Sequence, residues 1–211
     1  MTPITRSATE LAAWRRGCSP ARMRAVIFDH YGAPDVLHMA ELPDPVPGPG
    51  EVRVRVRATT VNAKDWRLRS MTVPPGFGLI ARAANGFGGP RQPVLGSEVA
   101  GVVDAVGDGV TAHAVGDAVF GYTQPMGAHA ELVCLPASVV VPKPDALSFE
   151  QAAALSFGGF TALDFLERGD VQPGQHLLVN GASGSVGSAA VQLARARGVH
   201  VTGVCSAGNV D

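Results

Sequence analysis

"VNGASGSVGSAAVQLARARG", residues 179–198, decides how the second half of this 211-residue chain folds. Leading into it is "PGQHLLV", residues 173–179, a Pro-Gly turn and a short apolar run, and after it "VHVTGVC", a second such run. Between the runs, "SVGSAAVQLARAR" spaces its apolar residues at helical intervals and closes on Gly198, whose missing Cβ suits a left-handed helix C-terminus. A strand, a helix and a strand in succession make a βαβ unit, whose right-handed crossover sets the two strands parallel in one sheet. Gly181, Gly184 and Gly187 mark the passage from the first strand into the helix. Glycines there leave no side chain between backbone amides and an anion, and a helix start presents N–H groups without intrahelical acceptors. The spacing is G-x-x-G-x-x-G, with Ala182 where the usual dinucleotide fingerprint has its middle glycine. Gly181, Ser183, Gly184, Ser185, Val186 and Gly187 are the candidate dinucleotide contacts, and close strand–helix packing is the alternative role of the same glycines.

The second strand ends in Cys205-Ser206-Ala207-Gly208-Asn209, with no acid. A carboxylate at that place accepts from the 2′-hydroxyl of an NAD ribose and repels a 2′-phosphate, so its absence favours NADPH. Ser206 and Asn209 are candidate donors to that phosphate. The stretch also lacks Lys and Arg, which leaves NADH open.

Upstream of the βαβ unit the text changes period. Ser148 followed by Gln151 fits a capping box, and a helix-like run follows through Leu163 and Phe165, expected to break at Gly158-Gly159. Before Pro144 the chain reads as β structure. "EVRVRVRATTV" alternates Val52, Val54 and Val56 with Arg53, Arg55 and Arg57, a strand with one wet face. "RAVIF", "LGSEVAGVVDAVGDGV", "VGDAVFGY" and "AHAELVCLPASVVVP" are further short apolar runs, several cut by Gly-Asp turns. "LPDPVPGPGE" reads as a loop, because proline lacks the ladder donor. Met71 to Pro93 reads as a long loop with one helical turn around Leu79 to Ala84. The expected fold class is mixed β and α/β. Residues 1–22 form an extension, 23–147 an antiparallel β domain, and 148–211 a connecting helix and the first βαβ unit.

Seventeen Lys and Arg against 18 Asp and Glu give a formal charge of -1, so no field draws in nucleic acid or an anionic membrane surface. No apolar run approaches the roughly 20 residues of a membrane span. Cys18, Cys134 and Cys205 form neither a disulfide framework nor a paired zinc motif, which suits a reducing, cytoplasmic setting. Met1 to Arg22 lacks the apolar stretch of a secretory signal and is expected to be a flexible arm without assigned function. The six His residues show no ligand spacing.

Jointly, "PGPGEVRVRVRATTVNAKDW", "PVLGSEVAGVVDAVG", "VGDAVFGY", "GGFTAL" and the glycine-loop stretch resemble the zinc-independent quinone oxidoreductase, or zeta-crystallin-like, branch of the medium-chain dehydrogenase/reductase superfamily. The likeness covers Met23 to Asp211. It implies a GroES-like β domain, then a Rossmann domain, with a small-molecule substrate held in the cleft between them. It also implies hydride transfer from NADPH to a quinone or an α,β-unsaturated carbonyl. Zinc members carry Cys where this chain has Asn62 and His where it has Ser97, so no catalytic zinc is expected; Glu98 alone makes no tetrahedral site. The resemblance makes Asn62 and Asp65 candidate catalytic residues and places Thr161 against the nicotinamide half of the cofactor; Tyr122, in the "VFGY" segment, is a third catalytic candidate, as a source of cleft polarity in place of the Tyr that relatives carry two residues beyond the Asp. Arg67 stands where relatives often have a Tyr, and is a second candidate for cleft polarity. Read without the resemblance, Asn62 and Asp65 serve equally as a turn cap and a helix N-terminal acid, and Tyr122 as a core aromatic.

Members of the branch continue through further strand–helix units and are often dimers. With its last residue at Asp211, the chain is expected to hold an incomplete Rossmann domain. Two functions follow: an NADPH-dependent reductase, or a catalytically inactive truncated remnant acting as a binding module. A zinc alcohol dehydrogenase is a third reading, opposed by Asn62 and Ser97.

Overall fold

The computed structural model describes residues 21–123 and 126–210. Cys18 and all but the last two residues of the expected extension lie outside them. Strands β1 (Arg22–Phe28) and β2 (Leu37–Pro43) form an antiparallel hairpin, in register from Arg22↔Pro43 to Phe28↔Leu37. The first two residues expected as loop, Leu42 and Pro43, thus close β2. A terminal proline is tolerated because a strand's last position need not donate to the ladder.

β3 (Glu51–Thr59), β4 (Glu98–Val106), β5 (Ala118–Tyr122), β6 (Leu132–Pro136) and β7 (Val140–Pro142) form a five-stranded antiparallel sheet in the order β6-β3-β4-β5-β7. The alternation in β3 sorts its faces. Val52 and Val54 are buried with Val99, Val103, Val119 and Leu135, while Arg53 and Arg55 both reach Asp104, at 2.7 and 2.9 Å. Two helices leave the sheet between β3 and β4: α1 (Ala63–Ser70) and α2 (Gly78–Asn85). The second spans eight residues, where a single turn was expected.

Helix α3 (Phe149–Arg168) joins the two halves, and its capping box is present, Gln151 N donating to Ser148 Oγ (3.2 Å) and Ser148 N to Gln151 Oε1 (2.9 Å). It runs 20 residues through Gly158-Gly159 without the expected break. Gly158 is there for packing: a Cβ on it would lie 2.8 Å from the Ser185 carbonyl oxygen, so only glycine lets α3 lie this close to the glycine loop.

β8 (His176–Asn180), α4 (Ser185–Ala196) and β9 (His200–Val204) follow as the expected βαβ unit, the strands parallel from His176↔His200 to Asn180↔Val204. Gly198, at φ 77°, follows the end of α4. Leu166, Ala194 and Val199 make the small core of this unit. Leu178 and Phe165 remain 66% and 63% exposed, apolar faces that nothing among the described residues covers. No helix among those residues is long and apolar enough to cross a membrane.

Candidate active site

A cleft of about 800 Å³ runs between the β domain and the βαβ unit. One wall comes from the start of α1 (Asn62, Ala63, Lys64), the start of β4 (Ser97, Glu98) and the end of β5 (Tyr122). The other comes from α3, β8 and the loop into α4, including Gly181 and Gly184 through Gly187.

Asn62 is the N-cap of α1. Its Oδ1 accepts from Lys64 N (2.9 Å) and Asp65 N (3.4 Å), and its own N–H donates to Asp65 Oδ2 (2.8 Å), closing a capping box. Its amide nitrogen Nδ2 points across the cleft wall to Glu98 Oε2 (3.0 Å) and Ser97 Oγ (3.4 Å). Glu98 is 4% exposed and fully engaged: Oε2 also accepts from Thr60 Oγ1, and Oε1 accepts from Phe157 N at 3.0 Å. This one carboxylate therefore ties α1, β4 and α3 together at the cleft. A buried carboxylate is tolerable on those terms, since each engaged lone pair replaces a water.

Asp65 does not line the cleft. It is 2% exposed, with Oδ2 held by Asn62 N and Oδ1 by Gly96 N (2.9 Å), so it positions the Asn62 turn from beneath. Arg67 is exposed and outside the cleft. Thr161 is half-buried on α3 but is not among the lining residues, whereas Phe157, Ala162, Phe165 and Leu166 on that helix are. Tyr122 does line it. Its ring packs on Phe157 (5.2 Å between centroids) and its hydroxyl accepts from Lys64 Nζ at 3.0 Å. Lys64 is the cleft residue that sequence reasoning missed. Its place, two residues after the N-cap, became readable only when β5 brought Tyr122 opposite.

The glycines of the loop divide their work. Gly181 takes φ 79° at the turn, which favours a residue without Cβ. Gly187 serves packing, since a Cβ there would lie 2.8 Å from Ala182 Cα and closer still to the Gly181 carbonyl oxygen. Gly184 is the N-cap of α4 and makes no side-chain cap, so the helix start faces the cleft as bare backbone. Ser183 lies on the far side of the loop, lining a separate groove of about 440 Å³ with Cys205 and Asn209. There Asn209 Nδ2 donates to Ser206 Oγ (2.9 Å) and Ser183 Oγ (3.4 Å), so the two expected 2′-phosphate donors cluster with Ser183, which was expected to meet the dinucleotide with the rest of the glycine loop.

Residues 48–145 match the alcohol dehydrogenase GroES-like domain. A Pseudomonas aeruginosa quinone oxidoreductase is 39% identical over 185 residues, 87% of this chain and 53% of that protein. The matched proteins are quinone oxidoreductases and related enzymes of the medium-chain dehydrogenase/reductase superfamily, to which the chain is similar over most of its length. Among solved structures, the Escherichia coli quinone oxidoreductase complexed with NADPH is similar at a TM-score of 0.71 and 31% identity, over 88% of this chain and 54% of that one. CurK enoyl reductase is similar at 0.78 and 28%, over 89% and 55%. A cobalt- and zinc-bound alcohol dehydrogenase from Pyrobaculum aerophilum is similar at 0.71 and 30%, over 89% and 60%. The chain thus spans about half the length of the curated relatives it matches. Since metal-bound and quinone-reducing members share this fold, the metal question rests on the side chains in the cleft.

Proposed function

We propose that this cleft is the active site of an NADPH-dependent reductase that passes hydride to a quinone or an α,β-unsaturated carbonyl without zinc. Residues 23–147 carry the substrate side and 148–211 the cofactor side. One observation carries the reading: a single cleft joins the bare N-terminus of α4 at one end to Asn62, Lys64 and Tyr122 at the other. The first end fits a pyrophosphate, because Gly184 offers no Cβ and the amides of Ser185, Val186 and Gly187 begin a helix. The E. coli relative complexed with NADPH supports the choice of cofactor. Ser206 and Asn209, the latter hydrogen-bonded to Ser183, are the residues to meet a 2′-phosphate. The bound nicotinamide supplies the hydride. The chain's own residues orient the acceptor, exclude water along the apolar α3 wall and donate hydrogen bonds to the oxygen where negative charge develops.

Asn62, Ser97 and Glu98 fit a zinc ion poorly. The set contains neither thiolate nor imidazole, and both Glu98 oxygens already accept from the chain's own donors. A cytoplasmic setting accords with the free thiols of Cys134 and Cys205.

Oxidation of NADPH by the purified chain with 9,10-phenanthrenequinone or a medium-chain enal, followed at 340 nm, tests the proposal. Turnover that survives chelator treatment supports it. Absence of cofactor binding favours the inactive binding module, for which the exposed Leu178 and Phe165 are the supporting feature. Turnover that a chelator abolishes and zinc restores would return the zinc reading.

A further inference from the structure

Among the described residues, three ionisable side chains line the cleft: Lys64, Glu98 and Tyr122. Glu98 is occupied with Thr60, Asn62 and Phe157. Lys64 and Tyr122 are joined to each other, Nζ donating to the phenol oxygen at 3.0 Å with the ammonium 5.1 Å from the ring centre. The phenol is fixed from two further directions, by its ring contact with Phe157 and by the ladder pairing of Tyr122 with Glu98. A phenol oxygen that accepts from an ammonium keeps its own hydrogen for a different acceptor. The bond thus has a direction, from Lys64 through Tyr122 toward whatever oxygen lies in the cleft.

Resting on the proposed reductase function, we infer that Tyr122 is the proton donor to the substrate oxygen and that Lys64 is the positioning residue that acts through it. Once a conjugated carbonyl has taken up hydride at carbon, the electron pair of its π system collects on oxygen. The Tyr122 O–H bond breaks, a bond from that hydrogen to the substrate oxygen forms, and the O–H pair stays on the phenol oxygen beside the Lys64 ammonium. The product from an enal is an enol, and from a quinone the hydroxy-ketone tautomer, which becomes the hydroquinone when a carbon-bound proton is lost to solvent and the second oxygen takes one up; solvent returns the proton to Tyr122. Lys64 makes the step easier because its positive charge, in the partly water-excluded cleft, offsets the phenolate charge as it develops.

The pair is tested on the full chain with 4-nitrophenolate, an oxyanion whose visible absorption reports hydrogen bonding, in the absence of any reductant. The wild-type chain binds it saturably. Tyr122→Phe keeps the ring and removes the donor, and Lys64→Met removes the charge; each weakens binding by about tenfold, the scale of one lost hydrogen bond to a charged group. Lys64→Arg restores binding to within about threefold. In turnover, both disabling variants lower kcat with little change in KM, as expected when an interaction grows between ground and transition state. The inference is overturned if the wild-type chain does not bind the probe, or if Tyr122→Phe and Lys64→Met bind it as the wild type does. NADPH titrated into the same samples separates the two claims. Cofactor binding with an unaffected phenolate profile defeats the donor pair alone; failure of the wild type to bind cofactor defeats the reductase reading instead.

Discussion

Replacing Glu98 with Gln asks whether one buried carboxylate holds the cleft together. Oε1 accepts from Phe157 N on α3, and Oε2 accepts from Asn62 Nδ2 at the start of α1 and from Thr60 Oγ1. Glutamine has a single acceptor oxygen. If that oxygen faces Asn62 and Thr60, the new NH₂ group abuts the Phe157 N–H; if it turns the other way, two donors lose their acceptor. The less harmful orientation strands one buried donor, roughly 1–3 kcal/mol, and removes the charge that strengthens the two remaining bonds, about 1 kcal/mol more. Glu98→Gln should therefore destabilise by roughly 2–4 kcal/mol, and Glu98→Ala, which strands all three donors and opens a void, by more. Urea unfolding followed by circular dichroism at neutral pH measures both, with the m-value reporting whether the transition stays cooperative. The reasoning is refuted if Glu98→Gln unfolds within about 0.5 kcal/mol of the wild type at an unchanged m-value, the scale of a surface substitution.

Gly158→Ala places a methyl against the Ser185 backbone, which cannot rotate away, and should cost roughly 1–3 kcal/mol in the same assay while displacing the start of α4. Arg24 donates through its backbone and side chain to Glu131 and holds that carboxyl below its ordinary value. The stabilising effect of Glu131 is then fully present above the ordinary glutamate range, about 4.3, and is lost as pH falls through the lower folded-state value. The stability gap between wild type and Glu131→Gln, measured by urea unfolding, should close across that acid window. Burial, reinforced by Glu51, pushes the Cys134 thiol up to about 11. Cys134 should therefore label with iodoacetamide at pH 8 on the order of a hundredfold more slowly in the folded chain than in urea, as read by peptide mass mapping.

Much of the fold was legible because it rests on local signals. The valines of β3, the Ser148–Gln151 box and the glycine that closes α4 each act within a few residues, and the structure places them where their chemistry indicates. Two departures have non-local causes. Gly158 and Gly159 look like breakers in isolation, but the neighbour that makes Gly158 a packing residue is Ser185, which sequence distance conceals. Leu37 to Pro43 is a strand because β1 pairs with it, and its own residues alternate too weakly to announce it. The site shows the same division. Turn chemistry and resemblance mark Asn62 and the glycines of the loop, and these line one cleft with Tyr122, whereas Ser183 of the same loop lines a separate groove. Asp65 was expected in the cleft and instead supports the Asn62 turn, while Lys64 went unnoticed. Which side of α1 faces the cleft is set by contacts with β4 and β5, far along the chain.

Amide chemical shifts during a titration with NADPH test the central claim most directly. If the dinucleotide lies in the cleft with its pyrophosphate on α4, the backbone amides of Ser185, Val186 and Gly187 should move together and saturably, with Asn62 and Tyr122 following at the opposite end. Saturable binding that leaves those three amides unmoved, or no binding at millimolar NADPH, would contradict it.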